Sequence, residues 1–151
     1  MNEMLWRILV LLLTALPVLI VDRLIKRYVL KEIGLGNRRQ LKNSARLYVM
    51  QNKGAFWGVG KSKPKLVLIF SILLITIVIF YCIFLEEEMI YVGLLAAICA
   101  GGLSNAIDRV LYGGVIDYWC IRLKKRTMVI NFADVAIFIS AVVYLIMRAI
   151  A

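Results

Sequence analysis

The chain has 151 residues, is 63% hydrophobic and has a mean hydropathy of +0.88. A soluble domain of this length cannot bury so much apolar surface, so the composition predicts a single integral-membrane domain. The chain carries a net charge of +10 and no histidine, which excludes Ser-His and Cys-His dyads, HExxH zinc sites and histidine proton relays. Its basic residues flank apolar segments, so membrane lipid rather than nucleic acid is the expected partner of that charge.

Four apolar segments are each long enough to cross a bilayer as a helix. The first carries Pro17, and no small-residue cleavage pattern precedes Asp22, so we expect it to be retained as a helix. The acidic run 86–88 separates the second segment from the third, which predicts a tight helical hairpin. The predicted spans of this single domain, residues 1–151, cover approximately residues 4–27, 66–85, 89–110 and 130–149.

Two polar connections follow the first and third spans. "RLYVMQ" (46–51) alternates enough to predict a short strand. "NKGAFWGVG" (52–60) adds three glycines and two aromatics, which predicts a small β-element with Phe56 and Trp57 at interfacial depth. Residues 118–129 are basic and aromatic, as is typical of an interfacial segment.

Ionisable side chains in or beside membrane spans are energetically unfavourable, so each one is a candidate functional residue. Asp22 and Lys26 are four residues apart on one helical face, and a neutralised structural pair is the favoured interpretation. Asn105, Asp108 and Arg109 form one polar stripe. This stripe fits an interfacial cap and the wall of a site that offers Arg109 to a polar substrate equally well.

Two further acids follow the third span. Asp117 comes after Gly113 and Gly114, which allow a sharp turn or the close approach of another backbone. Asp134 lies three residues after Asn131 and is typical of an acid at a helix N-terminus. Each acid has a structural explanation by itself. Together, however, two Asn-x-x-Asp units, 105–108 and 131–134, lie on either side of the Gly-Gly-x-x-Asp unit, and all three are expected on one side of the membrane.

A pair of close carboxylates without histidine or metal is typical of an aspartyl hydrolase. Two such carboxylates cannot both ionise easily, so they share a proton and titrate together. The ionised member takes a proton from the water that attacks a peptide carbonyl, and the protonated member donates a hydrogen bond to the carbonyl oxygen. The three cysteines lack CxxC spacing, so neither a disulfide framework nor a zinc site is expected.

Five short motifs, in order along the chain, resemble those of the lipoprotein signal peptidases, also called signal peptidase II. They are "DRLIK" (22–26), "NKGAFWG" (52–58), "GGLSNAIDR" (101–109), "GGVID" (113–117) and "NFAD" (131–134). The resemblance implies an aspartyl endopeptidase of the bacterial cytoplasmic (inner) membrane, a monomer without a cofactor or metal. Such an enzyme removes signal peptides from diacylglyceryl-modified prolipoproteins.

The resemblance also implies a fold and a set of site residues. The fold is an all-α membrane protein with four transmembrane helices, a small extracytoplasmic β-cradle and an interfacial helix. The implied catalytic pair is Asp117 and Asp134, and Asp22 and Lys26 have a structural role. The implied supporting or substrate-binding residues are Asn52, Gly54, Asn105, Asp108, Arg109 and Asn131. The sequence departs from the family pattern at Phe56, which comes one position early, and at Ser104, which replaces a glycine.

The orientation follows from the resemblance and conflicts with the charge pattern. The resemblance implies cytoplasmic termini and an extracytoplasmic active site, whereas the basic connections beside that site predict the opposite by the positive-inside rule. We expect the family orientation, because the lipid-modified substrate is presented at the outer leaflet. A reporter fused after Ala151 that reads external would contradict it.

Two other classes of function stay open. Acids in membrane spans also bind protons or cations in small ion-coupled transporters, although here they cluster at one surface rather than at the midplane. A non-catalytic relative that binds lipidated peptides would keep the same fold. Proton-coupled uptake into vesicles would support the first alternative, and a failure to cleave modified substrate would support the second.

Overall fold

The computed structural model of the chain describes residues 3–40, 46–54, 63–86, 88–123 and 126–151. The described part contains four long helices and one small antiparallel sheet, so the predicted fold class is confirmed. The helices are α1 (Glu3–Glu32), α2 (Pro64–Phe84), α3 (Met89–Tyr112) and α4 (Phe132–Ile150). The strands are β1 (Arg38–Gln40), β2 (Arg46–Asn52), β3 (Val115–Leu123) and β4 (Arg126–Ile130).

All four helices are long and apolar enough to cross a membrane. They differ in how much of each is covered by protein: 56% of the apolar segment of α3 is buried, against 6% of that of α1 and of α2. α3 is therefore the central helix, and α2 exposes large apolar side chains such as Ile69, Phe70 and Leu74. Such exposed apolar surface is what a lipid-facing helix requires.

Small residues allow the other helices to approach α3 closely. Ala96, Ala97 and Ala100 are buried on it, and Gly101 lies against the first turns of α4. A Cβ atom at Gly101 would lie only 2.8 Å from the carbonyl oxygen of Ala133. The backbones of α3 and α4 are therefore in direct contact there, as small residues permit in membrane helix pairs.

The last turns of α1 extend past the predicted end of the first span and pack against the sheet. Val29, near the end of this helix, is buried in a small core with Val49, Ile116 and Tyr118. Pro17 lies inside α1, which is one helix through this position. The first membrane helix and the extramembrane sheet thus form one packed unit.

The sheet has the order β1-β2-β3-β4, with all neighbours antiparallel. The strand predicted at 46–51 is confirmed as β2. Of residues 118–129, predicted to be an interfacial segment, those at 118–123 lie in β3 and those at 126–129 in β4, and Trp119 is paired with Ile130. Their β-branched and aromatic side chains favour a strand.

The described part of the chain has no interfacial helix. The β-element predicted at 52–60, with Phe56 and Trp57, falls mostly on residues 55–62, which lie outside the described residues.

The Gly101 contact generates a prediction about helix packing. Gly101→Ala should destabilise the protein by about 1–3 kcal/mol, because the new methyl group meets a rigid carbonyl and forces α3 and α4 apart. The melting temperature in detergent measures this. Gly93→Ala is the matched control, because its Cβ would have 3.6 Å to the nearest atom, Thr14 Oγ1. An equal melting temperature for the two variants would contradict the close contact.

Candidate active site

A cluster of charged side chains lies where α1, α3 and the start of α4 meet the sheet. Asp22, Lys26 and Asp108 are all 0% exposed. The Lys26 ammonium lies 2.7 Å from Asp22 Oδ2 and 2.7 Å from Asp108 Oδ2. The guanidinium of Arg23 pairs with the other oxygen of Asp108. The cluster therefore holds two acids and two bases, and this mutual pairing is what allows such charges to be buried.

Each acid of this cluster also accepts a hydrogen bond from the backbone of a distant element. Asp22 Oδ1 accepts from the N–H of Ala133 at 2.9 Å, and Asp108 Oδ2 accepts from the N–H of Ile116 at 3.1 Å. These two N–H groups belong to the residues immediately before the two predicted catalytic aspartates. The charge cluster thus fixes the backbone positions from which both candidate catalytic side chains extend.

Two asparagine amides connect Lys26 to the candidate catalytic pair. Asn105 Oδ1 accepts from Lys26 Nζ at 2.9 Å and from Asn131 Nδ2 at 3.2 Å. Asn105 Nδ2 therefore faces the other way and donates to Asp134 Oδ1 at 2.8 Å. Asn131 Nδ2 also donates to Asp117 Oδ1 at 2.7 Å. Because an ammonium group can only donate, it sets the direction of these bonds, and both candidate carboxylates receive amide N–H groups.

The start of α4 is built by the same residues. Asn131 is the N-cap: its side-chain oxygen accepts from the N–H of Asp134 at 2.8 Å, and the Asp134 carboxylate accepts from the N–H of Asn131 at 3.3 Å. This reciprocal arrangement is a capping box. The Tyr118 hydroxyl accepts from the N–H of Phe132 at 3.0 Å. Asp134 thus stabilises the helix start and faces the cluster at the same time.

Asp117 is buried in strand β3, with 2% of its surface exposed, rather than lying in a solvated turn. Its Oδ2 accepts from Asn52 Nδ2 at 3.1 Å, and the N–H of Gly54 holds the Asn52 side-chain oxygen at 3.1 Å. Burial, assisted by the negative charge of Asp134, raises the pKa of Asp117 to about 7, although its amide hydrogen bonds act in the opposite direction. This carboxyl group therefore keeps a proton close to neutral pH.

The two glycines before β3 have the two uses that the sequence indicated. Gly113 ends α3 in the left-handed conformation, with φ of 73°. Gly114 lies against the end of β2, where a Cβ atom would be 2.9 Å from the carbonyl oxygen of Asn52. This contact brings β2 and β3 together at the point where Asn52 meets the candidate carboxylate.

The polar stripe predicted on α3 divides into residues with different environments. Asp108 is fully buried and both of its carboxylate oxygens have partners, so its role is to hold the surrounding residues in place. Arg109 is partly buried and donates to the carbonyl oxygens of Asn105 at 3.1 Å and Gly54 at 3.2 Å. Its Nε has no hydrogen-bond partner among the described residues. Arg109 is therefore the member of the stripe that joins α3 to the backbone after β2.

Sequence reasoning missed two residues of the charge cluster. Arg23 pairs with Asp108, and the Ser104 hydroxyl donates to the carboxylate of Asp22. Both could have been found from the sequence. Ser104 lies one helical turn before Asp108 on the same helical face, and Arg23 is a charged residue within an apolar segment. The glycine that Ser104 replaces is not needed for packing here, because Gly101 supplies the close contact.

Comparison with solved structures places this fold among bacterial membrane enzymes. One such enzyme, solved by the in meso method at 2.3 Å resolution, has a TM-score of 0.83 and 23% identity, with 92% of this chain and 87% of that chain covered. Another, solved at 1.9 Å resolution, has a TM-score of 0.80 and 23% identity, with 91% of each chain covered. The fold is therefore that of a multi-pass bacterial membrane enzyme.

Comparison of sequences identifies the family. The family model of signal peptidase (SPase) II matches residues 14–150. The lipoprotein signal peptidase of Streptococcus pneumoniae is 30% identical over 83% of this chain and 82% of its own length. That of Clostridium novyi is 27% identical over 82% of this chain and 86% of its own length. The chain belongs to the signal peptidase II family, the membrane proteases of bacterial lipoprotein processing.

The charge cluster generates a prediction about Lys26. Lys26→Met should destabilise the protein by about 3–5 kcal/mol, because it leaves the buried Asp22 carboxylate without its cation. Lys26→Met combined with Asp22→Asn should regain part of that loss. Lys31→Met, an exposed change on the same helix, is the matched control. Melting temperatures in detergent test this, and equal values for Lys26→Met and the control would contradict the pairing.

Proposed function

We propose that this protein is an aspartyl endopeptidase that removes signal peptides from diacylglyceryl-modified prolipoproteins at the membrane surface. Membership of the signal peptidase II family supports the prolipoprotein substrate. The observation that carries the aspartyl assignment is the bridge through Asn131, which bonds to Asp117 with its side chain and to Asp134 with its backbone N–H. In this proposal the two bridged carboxyl groups are the catalytic pair.

The two carboxyl groups divide the work by their protonation. Asp117 carries the shared proton, because its pKa is raised to about 7 by burial and by the charge of Asp134. Asp134 takes a proton from the attacking water while the oxygen of that water forms a bond to the scissile carbonyl carbon. Asp117 donates a hydrogen bond to the carbonyl oxygen. When the C–N bond breaks, a proton from the pair passes to the leaving amine.

Residues around the pair bind and orient the substrate in this proposal. Arg109 is partly buried and donates to the carbonyl oxygen of Gly54, and in this proposal its guanidinium also binds a backbone carbonyl of the substrate. Asn52 donates a hydrogen bond to Oδ2 of Asp117 and so orients this carboxyl group. The fully buried Asp22, Lys26 and Asp108 do not contact the substrate, and they keep the pair in place through the hydrogen bonds described above.

Contacts at the other end of the bundle bring the helix ends that lie far from the sheet together on one face. Arg148, near the end of α4, pairs with Glu86 between α2 and α3, and Arg7, near the start of α1, donates to the carbonyl of Ile83. The first and last helices therefore meet the α2–α3 turn on the face opposite to the sheet. We place that face in the cytoplasm and the catalytic pair outside, in a protein that acts as a single-domain monomer.

The catalytic assignment predicts the effect of removing either carboxylate. Asp117→Asn and Asp134→Asn should each reduce cleavage of a diacylglyceryl-modified prolipoprotein by on the order of a thousandfold or more, because neither amide can exchange the proton. Purified variants with a wild-type melting temperature should be compared by gel shift of the substrate. Glu32→Gln, an exposed change, is the control. Cleavage by both aspartate variants at the wild-type rate would overturn the assignment.

The raised pKa of Asp117 predicts how activity changes with pH. Above pH 7, kcat/KM should fall about tenfold per pH unit, because the pair loses its shared proton. Since Asn52 lowers this pKa, Asn52→Ala should move the falling limb to higher pH, whereas the exposed Lys53→Ala should not. The same raised pKa also makes the free energy of unfolding depend on pH, because the folded protein binds this proton more tightly than the unfolded chain does. This stabilisation is complete below about pH 4 and is lost as the pH rises through 7. An unchanged limb in Asn52→Ala would contradict the role of Asp117.

A further inference from the structure

The sheet carries a cavity of about 950 Å³ that the candidate active site does not use. Three arginines line it, Arg38 and Arg39 of β1 and Arg46 of β2, together with the ring of Tyr48. Neither the candidate catalytic aspartates nor their asparagine partners belong to its lining. The cavity is therefore a second feature of the sheet, separate from the proposed peptidase chemistry.

The positive charge of this basic cavity is not balanced by nearby acids. All three arginines are exposed, and none of them forms an ion pair within the described parts of the chain. Residues 27–65 hold ten lysines and arginines but only one acid, Glu32. Residues 118–130 hold four more and no acid. A concave surface with this charge attracts anions, and its field is strongest where the charges converge.

The sheet register brings the arginines together. Arg38 of β1 is opposite Tyr48 of β2, and Gln40 is opposite Arg46, so cations from two strands face the same cavity. The Arg38 guanidinium lies 4.8 Å from the centre of the Tyr48 ring. Stacking on an aromatic ring orients a guanidinium while its N–H groups stay free. Such oriented guanidinium groups suit phosphate, which they bind with two parallel hydrogen bonds.

The chain segments that adjoin the strands of the basic cavity indicate a membrane surface rather than open solvent. β1 starts six residues after the end of the membrane-spanning helix α1. Tyr28 at the end of that helix is 59% exposed, and Leu35 in the connection is 54% exposed. On the sheet, Trp119 is 49% exposed. Exposed aromatic and aliphatic side chains beside basic ones are typical of the layer where lipid headgroups begin.

We propose that the basic cavity formed by Arg38, Arg39, Arg46 and Tyr48 binds the phosphate groups of anionic phospholipids on the side of the membrane where the sheet lies. Binding there anchors the sheet to the bilayer surface beside the candidate active site. An acidic peptide would match the charge as well, but the exposed apolar side chains on the same sheet and at the end of α1 favour lipid. The site does not depend on peptidase activity, because neither candidate catalytic aspartate lines the cavity, although Met50 of its lining is paired with Asp117 in the sheet.

The test compares two phospholipids on purified protein. Protein in neutral detergent micelles is mixed with equal amounts of phosphatidylglycerol and phosphatidylcholine, and the lipids retained are counted by native mass spectrometry. Wild-type protein should retain more phosphatidylglycerol than phosphatidylcholine. Arg38→Gln, Arg39→Gln and Arg46→Gln should each reduce that preference by roughly fivefold, as expected for a basic residue at an anionic surface.

The matched control removes the same charge elsewhere on the described surface. The triple lysine variant combines Lys31→Gln, Lys53→Gln and Lys63→Gln, which change exposed lysines that do not line the basic cavity, and the triple arginine variant combines the three arginine substitutions above. If the triple lysine variant loses as much preference as the triple arginine variant, net charge alone explains the binding and the proposal fails. It also fails if wild type shows no preference, or if an acidic peptide displaces the retained lipid at a lower concentration than free phosphatidylglycerol does.

A second measurement distinguishes lost binding from lost folding. Phosphatidylglycerol should raise the melting temperature of the wild-type protein and of the lysine variant, because a ligand that binds only the folded state stabilises it. The triple arginine variant should melt at the wild-type temperature in phosphatidylcholine and gain little from phosphatidylglycerol. An equal gain in all three proteins would overturn the proposed site, whatever the outcome of cleavage assays.

Discussion

The salt bridges of one ammonium group, that of Lys26, hold the central part of this protein together. Lys26 joins Asp22 of α1 to Asp108 of α3, and each of these acids binds the backbone directly before a candidate catalytic aspartate. A buried lysine is a poor source of net stability, because desolvation opposes its ion pairs. Lys26 instead sets the direction of the hydrogen bonds. An ammonium can only donate, so the amides of Asn105 and Asn131 point their N–H groups at the two carboxylates.

The two functions proposed for the extramembrane sheet use different parts of it. The ends of β2 and β3 bring Asn52 to the buried Asp117. The arginines of β1 and the beginning of β2 surround a basic cavity that faces outward. The proposed catalytic chemistry needs a carboxyl pair that buried hydrogen bonds hold in place, whereas the proposed lipid site needs exposed charges. A four-stranded sheet supplies both, because the end of β2 meets β3 beside Asp117, whereas β1 and the start of β2 line the cavity.

The sequence predicted most of what depends on local pattern. Run length and the absence of charges predicted the four helices, and the Asn131–Asp134 spacing predicted the acid at the start of α4, because a capping box is a local structure. The strand β3 was not predicted, since a basic and aromatic segment is compatible with a helix or a strand until its partner is known. The contact between Asn105 and Asp134 joins residues 29 positions apart, and only the packing of α3 on α4 brings them together.

The backbone contact at Gly101 has a mechanical consequence. Gly101 lies one turn before Asn105 on α3, and it touches Ala133, the residue next to Asp134 on α4. The spacing of the two helices at the candidate site is therefore set by atoms that have no rotamers and cannot be compressed. Changes in bilayer thickness or lateral pressure act first on the lipid-facing side chains, above all those of α2. The distance between α3 and α4 beside Asn105 and Asp134 is thus set by the close approach of the two helices at Gly101.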